Sequence, residues 1–219
     1  MPAAEQIWTI VVGGGSGRRF GAAKQFELLG DRRVIDRSRD VAATASHGVV
    51  VVMSADAAER EGAVAGGATR SDSVRAGLAA VPDTATIVCV HDAARPLATR
   101  ALYERVIGAV VDGAAAAIPG IPVTDTVKVV ADGVVTSTPD RESLVAVQTP
   151  QAFRADILRA AHADGGGSTD DAALVEAIGH PVVVVDGEVT NRKITHLDDL
   201  DWARAQVANT AESPAVDDR

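Results

Sequence analysis

Directly after a short β-branched run, Ile7 to Val12, the chain reads Gly13-Gly14-Gly15-Ser16-Gly17-Arg18-Arg19-Phe20-Gly21, with Lys24 close behind. Glycines permit positive φ and let backbone N–H groups approach an anion closely. Arg18, Arg19 and Lys24 bring fixed cations to the same place, so the segment can offer a polyphosphate both backbone donors and charge. A tight turn flanked by solvated bases explains it as well. It is not a Walker A loop, because no Gly-Lys-Ser/Thr follows, and the chain beyond it does not run straight into a clear helix as a dinucleotide fingerprint requires.

A second constellation, His91-Asp92-Ala93-Ala94-Arg95-Pro96, follows the apolar run Ile87 to Val90. A carboxylate delivered there by a buried strand can accept bonds from substrate hydroxyls or help to hold a hydrated magnesium ion. His91 and Arg95 fit a structural reading: a satisfied histidine, and an Asp92–Arg95 pair that shapes the loop. The third is Gly66-Gly67-Ala68-Thr69-Arg70-Ser71-Asp72-Ser73, at the opening of a helix. Free N–H groups and hydroxyls there can read a base or ribose, although a helix cap accounts for Ser71 or Asp72 equally well. Asp140-Arg141, Gln148-Thr149-Pro150-Gln151 and Asn191-Arg192-Lys193-Ile194-Thr195 add bases, amides and hydroxyls far apart in the sequence. Singly they assign nothing.

The elements that must position these groups alternate. Ile7 to Val12, Val49 to Met53, Ile87 to Val90, Ala114 to Ile118 and Val182 to Val185 are short apolar runs of strand type. Val34 to Ala45, Asp72 to Ala80, Thr99 to Val111, Arg154 to Ala163 and Asp170 to Ile178 have helical spacing. That order predicts an α/β fold with a mostly parallel, doubly wound sheet, right-handed crossovers and ligands beyond the carboxyl ends of the strands. One stretch breaks the pattern: Asp125 to Val130, Ala131-Asp132-Gly133, then Val134 to Ser137, an Asp-Gly turn between β-rich runs. It reads as a protruding β-arm over about 121–150 or as an ordinary surface hairpin. An arm with few core partners is marginal alone, so pairing in a homodimer is the simplest closed solution.

At 219 residues, one domain over 1–208 followed by a loose acidic tail at 209–219 is expected. The net charge of −9 argues against a duplex nucleic-acid binder. No apolar run approaches the roughly 20 residues of a membrane span, and the start lacks the order of a signal peptide, so a cytoplasmic protein is expected. The single cysteine, Cys89, lies in an apolar run and reads as a small buried hydrophobe.

Taken in order, these segments resemble the 2-C-methyl-D-erythritol 4-phosphate cytidylyltransferase family, within the glycosyltransferase-A-like, nucleotide-diphospho-sugar transferase type of fold. The resemblance rests on the glycine loop with Arg19 and Lys24, Gly66 to Ser73, His91 to Pro96, and Asp125-Thr126-Val127-Lys128. Gln148 to Phe153, Thr169-Asp170-Asp171-Ala172 and Lys193-Ile194-Thr195 complete a set that spans nearly the whole chain.

The resemblance implies transfer of CMP from CTP to methylerythritol phosphate with magnesium. It implies that Gly14, Gly15 and Gly17 hold the CTP phosphates, that Arg19 and Lys24 neutralise charge at the α-phosphorus, and that Gly67, Asp72, Ser73 and Ala93 face the nucleoside. Asp92 and Lys193 would stand between nucleotide and sugar phosphate, with Asp92 as a metal ligand. Thr126, Arg141 and Thr149 would bind the sugar phosphate, with Thr126 and Arg141 reaching a neighbouring subunit's site. Two positions depart from the family: its loop usually reads Ala-Ala-Gly or Ala-Gly-Gly where this chain has Gly13-Gly14-Gly15, and its lysine usually follows a proline where this chain has Ala23. A ribitol 5-phosphate cytidylyltransferase shares the reaction and most motifs, and a non-catalytic CTP-binding dimer is the alternative from another class. A nicotinamide-dependent oxidoreductase lacks its spaced motif here.

Overall fold

The computed structural model describes residues 4–15, 23–163, 165, 167–168 and 170–212. Strand β1 (Ile7–Val12) is followed, past the glycine loop, by a 3-10 turn at Lys24–Phe26 and a minimal hairpin of β2 (Leu28–Leu29) and β3 (Arg32–Arg33). Then come α1 (Val34–Ala45), β4 (Gly48–Met53), α2 (Ala55–Glu61), β5 (Val64–Ala65), α3 (Arg70–Ala80), β6 (Ile87–Asp92), α4 (Arg100–Val111) and β7 (Ala116–Pro122). The second half holds β8 (Val129–Ala131), β9 (Val134–Ser137), a 3-10 turn at Arg141–Ser143, β10 (Val145–Val147) and β11 (Gln151–Arg154). It closes with α5 (Ala155–Ala163), α6 (Asp171–Ala177), β12 (Val182–Asp186) and α7 (Leu197–Glu212).

The main sheet runs β10-β7-β11-β6-β1-β4-β5, with β12 also paired to β7. β1 pairs in parallel with both β4 and β6, β4 with β5, and β7 with β12. The mostly parallel expectation therefore holds, but β11 enters antiparallel between β6 and β7, and β10 lies antiparallel on β7.

Both faces are covered, and the pleat decides which side chain goes where. On β1, Ile10 joins the apolar cluster under α3, α5 and α6, while Val11 joins the one under α1, α2 and α4. β6 alternates likewise: Val88 and Val90 face the first cluster, Ile87 and Cys89 the second. Strands buried on both faces need continuous apolar runs, which is how these read. Burial pushes the Cys89 thiol up to about 12, so it behaves as a small hydrophobe. A third cluster, Leu29, Val34, Ile194, Leu200 and Ala203, docks α7 against the start of α1. α7 runs to Glu212, so 209–212, read from sequence as tail, belong to a helix, and 213–219 lie outside the described residues.

The Asp-Gly hairpin forms where expected. Asp132 (φ 50°) and Gly133 (φ 77°) both have positive φ, the requirement of a two-residue turn whose twist matches its strands. β8 and β9 make a two-stranded ribbon separate from the main sheet, with Val129, Val130, Val134 and Val135 exposed. The ends of the 121–150 segment belong elsewhere, since β7 extends to Pro122 and β10 pairs back onto it. Among the described residues, no helix is long and apolar enough to cross a membrane.

Candidate active site

The carboxyl ends of β1 and β6 open into a cavity of about 680 Å³. Val12, Gly13, Gly14 and Gly15 form one wall, Gly67 to Arg70 and Ser73 another, Asp92, Ala93 and Ala94 a third, and Lys24, Gln25, Lys193 and Thr195 the remainder. Ligand sites in doubly wound sheets sit at this edge.

Each wall has a local cause. The Gly13 N–H donates to the Val52 carbonyl at 2.7 Å, which anchors the loop's first residue to β4. Ser16 to Ala22 lie outside the described residues, and Gly17 and Arg19 with them. On the second wall, a Cβ placed on Gly67 would lie 2.2 Å from the Asp72 Cβ, so the chain can pass there only as glycine. α3 then starts with a reciprocal cap. The Thr69 hydroxyl accepts from the Asp72 N–H at 3.0 Å, and the Asp72 carboxylate accepts from the Thr69 N–H at 2.9 Å. Asp72 also pairs with Arg75, so it serves the helix end rather than the cavity wall. Ser73 does line the cavity, its hydroxyl donating to the Thr69 carbonyl at 3.0 Å.

Lys193 is placed by its neighbour. Ile194 is 1% exposed in the α7 cluster, and its N–H donates to the Ala94 carbonyl at 2.8 Å. Lys24 Nζ donates to the Ile194 carbonyl at 2.6 Å, which ties the 3-10 turn to the same strand of chain. Burial of one isoleucine thus sets two amines at the cavity.

Asp92 is the carboxylate among the lining residues. Its Oδ2 accepts from Lys193 Nζ at 2.5 Å and its Oδ1 from Arg70 Nε at 3.2 Å. Burial alone would raise its pKa, but the charges of Arg70 and Lys193 outweigh that and hold the group well below the usual carboxylate range. Behind it, the Asp92 N–H donates to Thr149 Oγ1 at 3.0 Å, and that hydroxyl lies 3.1 Å from His91 Nδ1. His91 Nε2 is 3.2 Å from the Arg95 carbonyl. A carbonyl only accepts, so Nε2 carries the proton and the Thr149 hydroxyl donates to Nδ1. Burial lowers the His91 pKa to about 4, which keeps the ring neutral. His91 is the structural histidine its position suggested, and Thr149 supports Asp92 from behind rather than facing the cavity.

The Asp92–Arg95 side-chain pair offered by the structural reading of the sequence does not form. Arg95 turns to the carbonyls of Asn191 at 2.8 Å and Val147 at 3.2 Å, while Asp92 is met by Arg70 from the other side. Sequence reasoning misses Arg70, although a base next to the close backbone approach at Gly66-Gly67 is an available signal. Its NH1 reaches Asp171 Oδ2 at 2.5 Å, a carboxylate whose link to the site no local pattern announces. Thr126 and Arg141 are exposed and line no part of this cavity; Arg141 donates to the Thr124 carbonyl at 3.1 Å.

Among the described residues, no group of three or more His, Cys, Asp or Glu could hold a metal ion. Asp92 offers one ionised carboxylate. That fits magnesium, which commonly takes one or two carboxylates and completes its shell with phosphate oxygens and water.

The profile of the family described as IspD, 2-C-methyl-D-erythritol 4-phosphate cytidylyltransferase, matches residues 7–209. A protein of that name from Frankia casuarinae is 43% identical over 231 residues, covering 99% of this chain and 86% of the relative. A bifunctional enzyme IspD/IspF from Nitratidesulfovibrio vulgaris is 45% identical over 223 residues, covering 89% of this chain and 56% of the relative. The chain therefore spans little more than half the length of such two-activity relatives. The crystal structure of 2-C-methyl-D-erythritol 4-phosphate cytidylyltransferase from Thermus thermophilus superposes with a TM-score of 0.78 at 35% identity, covering 91% of this chain and 98% of that one.

Proposed function

Because the chain belongs to the 2-C-methyl-D-erythritol 4-phosphate cytidylyltransferase family, we propose that it transfers CMP from CTP to 2-C-methyl-D-erythritol 4-phosphate. The products are 4-diphosphocytidyl-2-C-methyl-D-erythritol and pyrophosphate. What carries the reading is one observation: backbone glycines, Lys24, Lys193, Arg70 and Asp92 line a single cavity at the sheet's carboxyl edge.

A phosphate-monoester oxygen of the acceptor attacks the α-phosphorus of CTP in line. The new O–P bond forms as the bond from the α-phosphorus to the bridging oxygen breaks, and that electron pair leaves with pyrophosphate. The attacking oxygen is already ionised at neutral pH, so no strong general base is required. The protein's task is to align two anions and to neutralise charge as it develops. Gly14 and Gly15 offer backbone N–H groups to the CTP phosphates, a role the family resemblance also gives Gly17. Lys24 places positive charge at the α-phosphorus and the leaving group, a role the family resemblance also gives Arg19. Gly67, Ser73 and Ala93 form the nucleoside side; Asp72 supports it indirectly by capping α3. Lys193 draws the acceptor phosphate, and Asp92 orients Lys193. Magnesium, held by CTP phosphate oxygens with Asp92 as the protein ligand, would neutralise polyphosphate charge.

The exposed valines of the β8–β9 ribbon support a homodimer in which this arm lies on a second subunit. In that assembly Thr126 and Arg141 complete the partner's cavity, where the planar guanidinium suits bidentate phosphate binding.

Magnesium-dependent pyrophosphate release from CTP tests the reading, with methylerythritol phosphate and ribitol 5-phosphate offered separately. Release with methylerythritol phosphate alone is expected. Release with ribitol 5-phosphate alone would keep the mechanism and replace the acceptor, and silence with both would leave a CTP-binding dimer.

A further inference from the structure

We propose that Asp171, which does not line the cavity, is a positioning residue that holds the Arg70 guanidinium against Asp92 and so leaves Lys193 available to the acceptor phosphate. The inference rests on the nucleotidyl-transfer reading above.

Asp171 opens α6 and is wholly buried. A buried carboxylate is costly unless it is paired and hydrogen-bonded. Here it is held from two sides: Oδ2 accepts from Arg70 NH1 at 2.5 Å, and Oδ1 lies 3.0 Å from His162 Nε2, itself buried. Its second oxygen is engaged by the ring, so the carboxylate has little freedom to turn away from Arg70.

Arg70 then bridges two acids with one rigid fork, Nε to Asp92 and NH1 to Asp171. An ammonium is a point charge without that fork, so lysine is no substitute. Its two anchors make Arg70 the immobile partner of Asp92. Lys193 is the mobile one, with a side chain 44% exposed against 21% for Arg70. When an anionic phosphate enters, Lys193 can turn to it while Arg70 keeps Asp92 compensated. Without Asp171 the guanidinium is tethered at one end only. It is then free to leave Asp92 for phosphate, and Lys193 is kept by Asp92. The backbone donors of the glycine loop stand on a different wall of the cavity, so CTP binding is affected less than the chemical step.

A purely structural account, in which Asp171 only fastens α6 to α5, makes a different forecast, and a double-mutant cycle separates the two. Asp171→Asn is expected to lower kcat roughly tenfold or more while KM for CTP moves less than about threefold. Added to Arg70→Met, the same change is expected to cost less than about twofold. Loss of the same factor in both backgrounds overturns the proposal. Should Asp171→Asn fail to fold, Arg70→Met/Asp171→Leu removes the pair from both sides without leaving a buried charge unpaired. That variant is expected to turn over like Arg70→Met, and a much lower rate counts against the proposal. Independently of turnover, the Arg70 Nε–H resonance is expected to be protected from exchange in the wild-type protein and to lose protection in Asp171→Asn. Retained protection overturns the proposal. If the wild-type protein releases no pyrophosphate, the functional reading fails by itself and the Arg70 resonance decides the positioning role.

Discussion

Lys193 Nζ lies 2.5 Å from Asp92 Oδ2, although 101 positions separate the two residues. The carboxylate is nearly buried and the lysine nearly half exposed, so the acid is the fixed member of the pair and the amine the adjustable one. Arg70 stays on the other carboxylate oxygen, so removing the amine does not leave the acid without a cation. Lys193→Ala is therefore expected to leave the melting temperature nearly unchanged while lowering kcat roughly 100-fold, the scale of one lost electrostatic donor. Parallel thermal melts and pyrophosphate-release assays check both halves, and full activity in a folded variant would remove Lys193 from the mechanism.

Lys24 is set by its bond to the Ile194 carbonyl, with no proline before it. Lys24→Ala should lower turnover by about 100-fold, and Arg19→Ala similarly, with far-ultraviolet circular dichroism unchanged. Unchanged turnover in either variant would sink the role given to that residue.

His91 supplies a pH dependence of stability. Its folded pKa of about 4 lies below the ordinary 6.5. Between those values the unfolded chain binds a proton that the folded chain does not, so stability is full above about pH 6.5 and is lost as pH falls toward 4. The groups around the ring are Asp92, Arg95, Thr149 and Tyr103. Asp92, also depressed, adds its own loss below the ordinary 3.8. Urea titrations from pH 7 to 4.5 should show the unfolding free energy falling by about 2 kcal/mol. His91→Asn should flatten the slope in this window, and an equally steep slope in that variant would assign the effect to other groups.

Gly67→Ala tests the second wall. The added methyl would strike Asp72 at 2.2 Å, within the α3 cap and against the cavity. A lost cap costs about 1 kcal/mol. The expected result is a lower melting temperature together with weaker CTP binding by calorimetry; tight binding with a shifted melt would separate the cap from the nucleotide wall.

Arg141 tests the arm. If each cavity uses its partner's arm, inactive Arg141→Ala and Lys193→Ala proteins, mixed and allowed to exchange subunits, recover activity. Half of the dimers are then mixed, and one of two sites in each is intact, so about one quarter of wild-type activity is expected from random pairing. No recovery after verified exchange would place Arg141 in its own subunit's site or in none.

Much of this protein is written locally in its sequence. The apolar run Ile7 to Val12 and the helical spacing of Val34 to Ala45 reappear with the same bounds as β1 and α1, because periodicity and length act over a few residues. The Asp132-Gly133 turn is equally local, since positive φ at both positions is a property of those two residues. The glycines of the first loop, Lys24, Asp92 and Lys193 could be nominated from residue type, order and resemblance.

Topology decided the rest. Antiparallel entry of β11 between β6 and β7 puts Thr149 behind Asp92, and no four-residue pattern specifies which strands it will join. Asp72 stood open in the sequence between a helix cap and a nucleoside ligand, and in the fold its carboxylate caps α3 with Thr69 and pairs with Arg75. Arg95, three residues from Asp92, lost that partner to Arg70, 22 residues away, and Arg70 in turn met Asp171 another 101 residues on. Charge pairing depends on distances through space after the chain has packed. Sequence could therefore name the groups able to do this chemistry, while only the folded sheet could say which acid answers which base.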